Sequence, residues 1–250
     1  MKKILSLVLF SAALQITFAQ MAATVNYTET VQLKFNFEGM QPPPDLPKEH
    51  SIKTILYFND KAALYTNDEA AMQQDAAVNE ENGEGGMMIM HMAPPDNKLY
   101  TDLNEKTVTR KEDFMQRTFL IEGKMDTTQW KLTGKQKFIL NYPCMEAVSM
   151  DTAKHVSVWY TPAFPVSLGP SRFCGLPGLI LEVNIDNGDR VITATNIVKE
   201  VDASKIVKPT DGKKVTDEEY QKIVAEKLKE MGIDDDGSGG PRIMIKVEDH

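Results

Sequence analysis

The sequence predicts a mainly β protein built on an antiparallel sheet, with one helix near the C-terminus packed against it. Three observations lead to this. From Val25 to Phe37 the chain alternates: Val25, Tyr27, Val31, Leu33, Phe35 and Phe37 share one face. Asn26, Thr28, Thr30, Gln32, Lys34 and Asn36 share the other, the period of a strand with one wet side. Asn187-Gly188 lies between two apolar segments, and Asn-Gly is the strongest short hairpin signal. Thr216 and Glu219 form a capping box ahead of a narrow apolar stripe of Tyr220, Ile223, Val224 and Leu228.

Taken in order, the chain begins with a targeting segment. Lys2 and Lys3 precede an apolar run from Ile4 to Ile16, and Thr17-Phe18-Ala19 supplies a small-x-small cleavage signal. Cleavage is expected after Ala19, giving a periplasmic, outer-surface or secreted protein. No other stretch approaches the ~20 apolar residues a membrane helix needs. The formal charge is −8 and there is no basic stripe, which argues against nucleic acid or an anionic membrane as partner.

Gln41 to Pro47 holds four prolines and reads as a connection. Ile52 to Phe58 and Ala62 to Tyr65 read as a hairpin turning at Asn59-Asp60. Residues 67–97 form an acidic, Met-rich insertion expected to be mobile. Leu99-Tyr100, Val108, Phe114 to Glu122, Trp130 to Leu132, Phe138 to Val148 and Val156 to Tyr160 are short β-branched and aromatic segments parted by Gly, Asn, Asp or Pro. In Gly175-Leu176-Pro177-Gly178, proline presets φ for a type II turn and the glycine after it accepts positive φ. The strand that follows puts Leu179, Leu181, Val183 and Ile185 on one side. A two-residue turn at Asn187-Gly188 then pairs Val183 with Ile192, Leu181 with Ala194, Glu182 with Thr193 and Asn184 with Val191. After the helix, stopped at Gly232, Asp234 to Gly240 reads as a link and Ile243 to Val247 as a last strand.

Few residues suggest chemistry. Cys144 and Cys174 are the two cysteines, and an even count in an oxidising compartment predicts a disulfide contributing roughly 3 to 4 kcal/mol. Met88, Met90 and Met92, with His91, offer soft thioether ligands for copper, against the plainer reading of methionines filling an apolar groove. Asp234, Asp236, Ser238 and Gly239 open like a calcium loop, but Ile245 stands where the bidentate glutamate belongs. His50, His91, His155 and His250 have no metal-ligand spacing, and no nucleophile elbow, phosphate loop or dinucleotide fingerprint occurs. No catalytic residue is assigned. Trp130, Trp159, Tyr160, Phe164 and Phe173 lie near Pro-rich bends and are candidates to line a concave apolar site.

Gly175-Leu176-Pro177-Gly178-Leu179-Ile180 spells GLPGLI, and the chain resembles the family named for that hexapeptide. Trp159-Tyr160-Thr161-Pro162, Pro165, Gly169-Pro170 and Phe173 are similar to the family's approach to it. Tyr142-Pro143-Cys144 with Ala147 is similar to an earlier segment, although Asn141 replaces a glycine, and Trp130 matches a preceding tryptophan. The resemblance implies an exported envelope protein of Gram-negative bacteria with a curved, bowl-like or half-barrel sheet. It supplies no catalytic residues. The expected organisation is a signal peptide over 1–19, a β-rich domain over 20–206 and a helix and tail over 207–250. The expected function is non-catalytic: a binding or accessory protein whose concave site takes a peptide, a lipid or an envelope-protein partner. The alternatives are copper handling through the methionines and a hydrolase using carboxylates or His155.

Overall fold

The computed structural model describes residues 21–33, 48–73, 96–125, 128–151 and 155–230. The described residues form twelve strands. The first six are β1 (Ala23–Gln32), β2 (Glu49–Phe58), β3 (Ala62–Asn67), β4 (Lys98–Asp102), β5 (Thr107–Phe114) and β6 (Arg117–Lys124). The rest are β7 (Trp130–Ile139), β8 (Tyr142–Ser149), β9 (Val156–Thr161), β10 (Leu179–Ile185), β11 (Arg190–Val198) and β12 (Lys213–Val215). All join one open sheet in the order β12-β6-β5-β4-β3-β2-β1-β11-β10-β9-β8-β7. Pairing is antiparallel everywhere except between β12 and β6, which run parallel.

The sheet contains two hairpin meanders, β1 through β6 and β7 through β11, joined where β1 pairs with β11. Two hairpins turn on two residues held in the left-handed region, and a third on three in place of the predicted two-residue turn. These are Met115-Gln116 at φ 48° and 61°, Leu140-Asn141 at 50° and 65°, and Asp186-Asn187-Gly188 at 50°, 57° and 107°, within four residues linking Ile185 to Arg190. Such turns match the right-handed twist of the strands they join. The third keeps the predicted register, with Glu182 opposite Thr193, Val183 opposite Ile192 and Asn184 opposite Val191. The other two divide segments that the sequence presented as single strands, Phe114 to Glu122 and Phe138 to Val148. The β2–β3 turn falls at Asn59 as expected, whose side-chain oxygen accepts the N–H groups of Lys61 (2.8 Å) and Ala62 (2.9 Å).

One face of the sheet is the core. The Cys174 carbonyl accepts a hydrogen bond from Trp130 on β7, and Cys174 lines one cleft with Ile121 on β6, strands ten places apart in the sheet order. A flat sheet could not bring them together at ~4.8 Å per strand. The sheet is therefore curved, as expected, and residues 162–178 fill its hollow with Phe164, Leu168 and Leu176.

The C-terminal helix, Asp217–Glu230, starts on the predicted capping box. The Thr216 N–H donates to Glu219 Oε2 at 2.8 Å, and the Glu219 N–H donates to Thr216 Oγ1 at 3.1 Å. It packs on β6, where Tyr220 meets Phe119 edge-on at 5.4 Å. None of its residues is fully buried, so it borders the sheet rather than plugging it.

The expected disulfide is absent. Cys144 and Cys174 are both buried thiols. The Trp130 indole N–H donates to the Cys174 carbonyl at 2.7 Å, which fixes Cys174 beside the end of the β7–β8 hairpin where Trp130 faces Ser149. Cys144 lies five residues along β8 from Ser149, about 17 Å of strand, whereas a bridge needs Cα atoms within about 7 Å. Burial instead pushes the Cys144 thiol up to about 11. The targeting segment, the alternation beyond Leu33, the Pro-rich connection, Met87 to Met92, the Asp234 loop and the Ile243 strand lie outside the described residues.

Candidate functional site

Residues 162–178 cross the core face as a strap between β9 and β10. Its own backbone holds it: the Val166 and Leu179 N–H groups share the Phe164 carbonyl at 2.8 and 3.0 Å, and the Ile180 N–H donates to Leu168 at 2.9 Å. The GLPG corner works differently from a type II turn. The left-handed glycine is Gly175, at φ 96°, whereas Gly178 is not left-handed. Gly178 is needed for space, because a Cβ there would lie 2.3 Å from the Thr161 carbonyl oxygen. Gly169 is similarly tight, 2.7 Å from Ile180 Cβ. With these two glycines the strap can lie directly on β9 and β10.

The strap covers a row of side chains that crosses six strands. Val25 faces Leu56, Leu56 faces Tyr65, Tyr65 faces Leu99, Leu99 faces Arg110 and Arg110 faces Ile121. Arg110 is the charge in this otherwise apolar row, and it is only 9% exposed. It pairs with Asp217, the first residue of the helix, and with Glu112 at 3.6 Å. A buried guanidinium needs such partners, since an unpaired one would cost several kcal/mol. Burial lifts the Glu112 carboxyl above its ordinary range, against the opposing pull of Arg110 and Arg172.

Between strap and sheet lies a cleft of two chambers that share Tyr65, Leu99, Arg110, Ser171 and Arg172. The inner chamber, about 210 Å³, has an apolar wall of Leu56, Val108, Ile121, Leu168 and Phe173 and also carries Glu122, Lys124 and Asp217. The outer one, about 310 Å³, is polar and lined by Glu29, Thr54, Asn67, Glu112, Arg172 and Arg190 among others. The cleft is therefore amphipathic, where the sequence suggested a purely apolar site.

The five candidate aromatics do not converge. Phe173 lines the cleft. Tyr160 and Phe164 are core, the latter against Tyr142 at 5.2 Å. Trp130 anchors the strap. Trp159, next to Tyr160 on β9, points to the opposite face. There Lys137 sits 4.5 Å over its ring and donates to Glu182 at 2.8 Å, while Lys135 pairs with Glu146 at 3.0 Å. Those charges satisfy one another. His155 is exposed, 4.0 Å from Asp186 at a hairpin tip. Among the described residues no group of three potential ligands could hold a metal. The residues overlooked in the sequence are Arg110, Glu112, Leu99, Leu168 and Arg172. The first two carried a signal, for Val108, Arg110 and Glu112 alternate on one face of β5 and place charge where a core residue belongs.

A family model described as N-glycanase peptide, N-terminal domain, matches residues 48–222, from β2 into the helix. The chain belongs to the family of N-glycanase N-terminal domains. The strap, the start of the helix and the cleft lining other than Glu29 fall inside the match. Two solved structures of PNGF-II, in space groups P21 and C2, are similar to it at 18% identity over 82% of this chain, with TM-scores of 0.53 and 0.55. At that identity the likeness concerns the fold. The chain spans about a third of PNGF-II, 33% of each structure. No curated protein matches it.

Proposed function

We propose that this N-glycanase-type N-terminal domain is a binding or accessory module, and that the cleft beneath the strap is its ligand site. The observation that carries the reading is the cleft itself: two chambers with five lining residues in common, between a braced strap and the sheet, that combine an apolar wall with charged groups. Ligand sites are concave, mostly apolar and fixed by a few placed polar groups. The family match supports an accessory role, because it concerns an N-terminal domain rather than a whole N-glycanase. The reading includes export after loss of residues 1–19, action in the periplasm or at the outer surface, and kinship with the GLPGLI family.

The test uses protein purified from cells that export it. Native mass spectrometry and solvent extraction should find a co-purifying small molecule, lost in Gly123→Leu. Gly123 lines the inner chamber, and a Cβ there meets only Val108 at 3.9 Å, so the leucine fills the space without straining the backbone. Repeatedly empty preparations of the unaltered protein would contradict the reading.

A further inference from the structure

The charges around the cleft are unevenly matched. Four cations, Lys98, Arg110, Arg172 and Arg190, and two carboxylates, Glu29 and Glu112, line the outer chamber of a chain whose formal charge is −8. Three of the four cations are paired. Arg190 donates to Glu29 at 2.8 Å, Lys98 meets Asp96 at 3.2 Å, and Arg110 is held by Asp217 and Glu112. Arg172 has no ion pair or hydrogen bond among the described residues, although it lines both chambers. It follows Ser171, held left-handed at φ 54° at the turn of the strap. A non-glycine residue in that region costs roughly 1–2 kcal/mol, so the surrounding packing must impose this conformation.

We infer that Arg172 is the anchoring residue for the carboxylate head of a single-chain fatty acid, whose tail enters the inner chamber. The inference rests on the cleft being a ligand site and names the ligand's class. Guanidinium matches carboxylate geometry through two parallel hydrogen bonds, and Arg172 has its donors available. The tail fits the wall of Leu56, Leu99, Val108, Ile121, Leu168 and Phe173. A chamber of about 210 Å³ is many times the ~10–15 Å³ that one water needs, which leaves room for a tail of several methylenes. The same chamber also carries Glu122, Lys124 and Asp217 beside Arg110 and Arg172, so the tail lies along the apolar wall and the carboxylate meets a cation.

The test is calorimetric titration of delipidated protein with decanoate and with decanol, which share a chain and differ in charge. Decanoate should bind at least tenfold more tightly, although decanol is the more apolar. Arg172→Met should cost decanoate about tenfold and leave decanol within twofold, while Arg172→Lys keeps most of the preference. Gly123→Leu should abolish both. Equal binding of the two ligands, or a preference unmoved by Arg172→Met, overturns the inference and leaves the cleft as a site when Gly123→Leu still removes binding. Binding of neither overturns the fatty-acid assignment. The extraction experiment then decides separately whether the cleft holds anything.

Discussion

The phenol of Tyr27, on β1, donates to the carbonyl of Ile180, on β10, at 2.8 Å, across the intervening strand β11. Both residues are essentially inaccessible to solvent. The pairing of β10 with β9 slips between Ile180 and Glu182, and Leu181 occupies the bulge. The bulge displaces the Ile180 carbonyl from the regular ladder, and the phenol satisfies it. Burial raises the Tyr27 hydroxyl well above its ordinary value, keeping it a neutral donor. Tyr27→Phe strands that carbonyl in the core and should lower stability by about 1–3 kcal/mol. Urea unfolding, with an unchanged slope and an earlier midpoint, is the readout.

The two glycines of the corner should respond differently. Alanine at Gly175 must adopt a left-handed φ, at roughly 1–2 kcal/mol. Alanine at Gly178 must displace the Thr161 backbone and should cost about 3 kcal/mol, the upper part of the range for overpacking. Thermal melts of both variants should rank Gly178→Ala as the worse; the opposite order would mean that the corner is a type II turn after all.

Glu112 makes stability depend on pH. Its folded value is raised above the ordinary 4.5, first by burial, so the folded protein holds a proton that the unfolded chain has released. The stabilisation is complete below the unfolded value and is lost as pH rises through the folded one. Glu112→Gln should flatten this decline between 4.5 and the raised value, as read from unfolding free energies across that window.

The thiols should be intact yet slow to react. Mass mapping under non-reducing conditions should find no bridge, and both cysteines should alkylate once the protein is unfolded. In the native state Cys144 should resist iodoacetamide at pH 8, because burial holds its value at about 11 and the thiolate is the nucleophile. A Cys144–Cys174 peptide would contradict the separation described above.

The elements that could be read from the sequence are those specified by neighbours in the chain. Asn187-Gly188 carries its own turn chemistry, and its register follows from it. Thr216 and Glu219 are three residues apart and cap each other directly. The hairpins at Met115-Gln116 and Leu140-Asn141 were hidden because no glycine marks them; the ladders on either side, closing at Phe114–Arg117 and Ile139–Tyr142, impose the left-handed turns. The join between β1 and β11 was hidden for another reason. It brings together residues such as Thr28 and Thr193, far apart in the chain, and no local pattern records it.

The site was less legible than the fold. The aromatic cluster around the GLPGLI corner drew attention to the correct segment, but only Phe173 of the five lines the cleft. Most of the other lining comes from β2 to β6, with Glu29 from β1, Arg190 from β11 and Asp217 from the helix, and nothing in the sequence places these beneath residues 168–173. Arg110 and Glu112 alternate with Val108 on β5, and that misplaced charge was the readable hint. An even number of cysteines carried no information about their distance.

The central claim is that ligands enter the cleft beneath the strap rather than the outer face around Trp159. Photolabelling with a small apolar diazirine, followed by peptide mapping, tests it most directly. The account predicts label on Leu99, Leu168 and Phe173 and its loss in Gly123→Leu. Label concentrated around Trp159, unchanged in that variant, would contradict it.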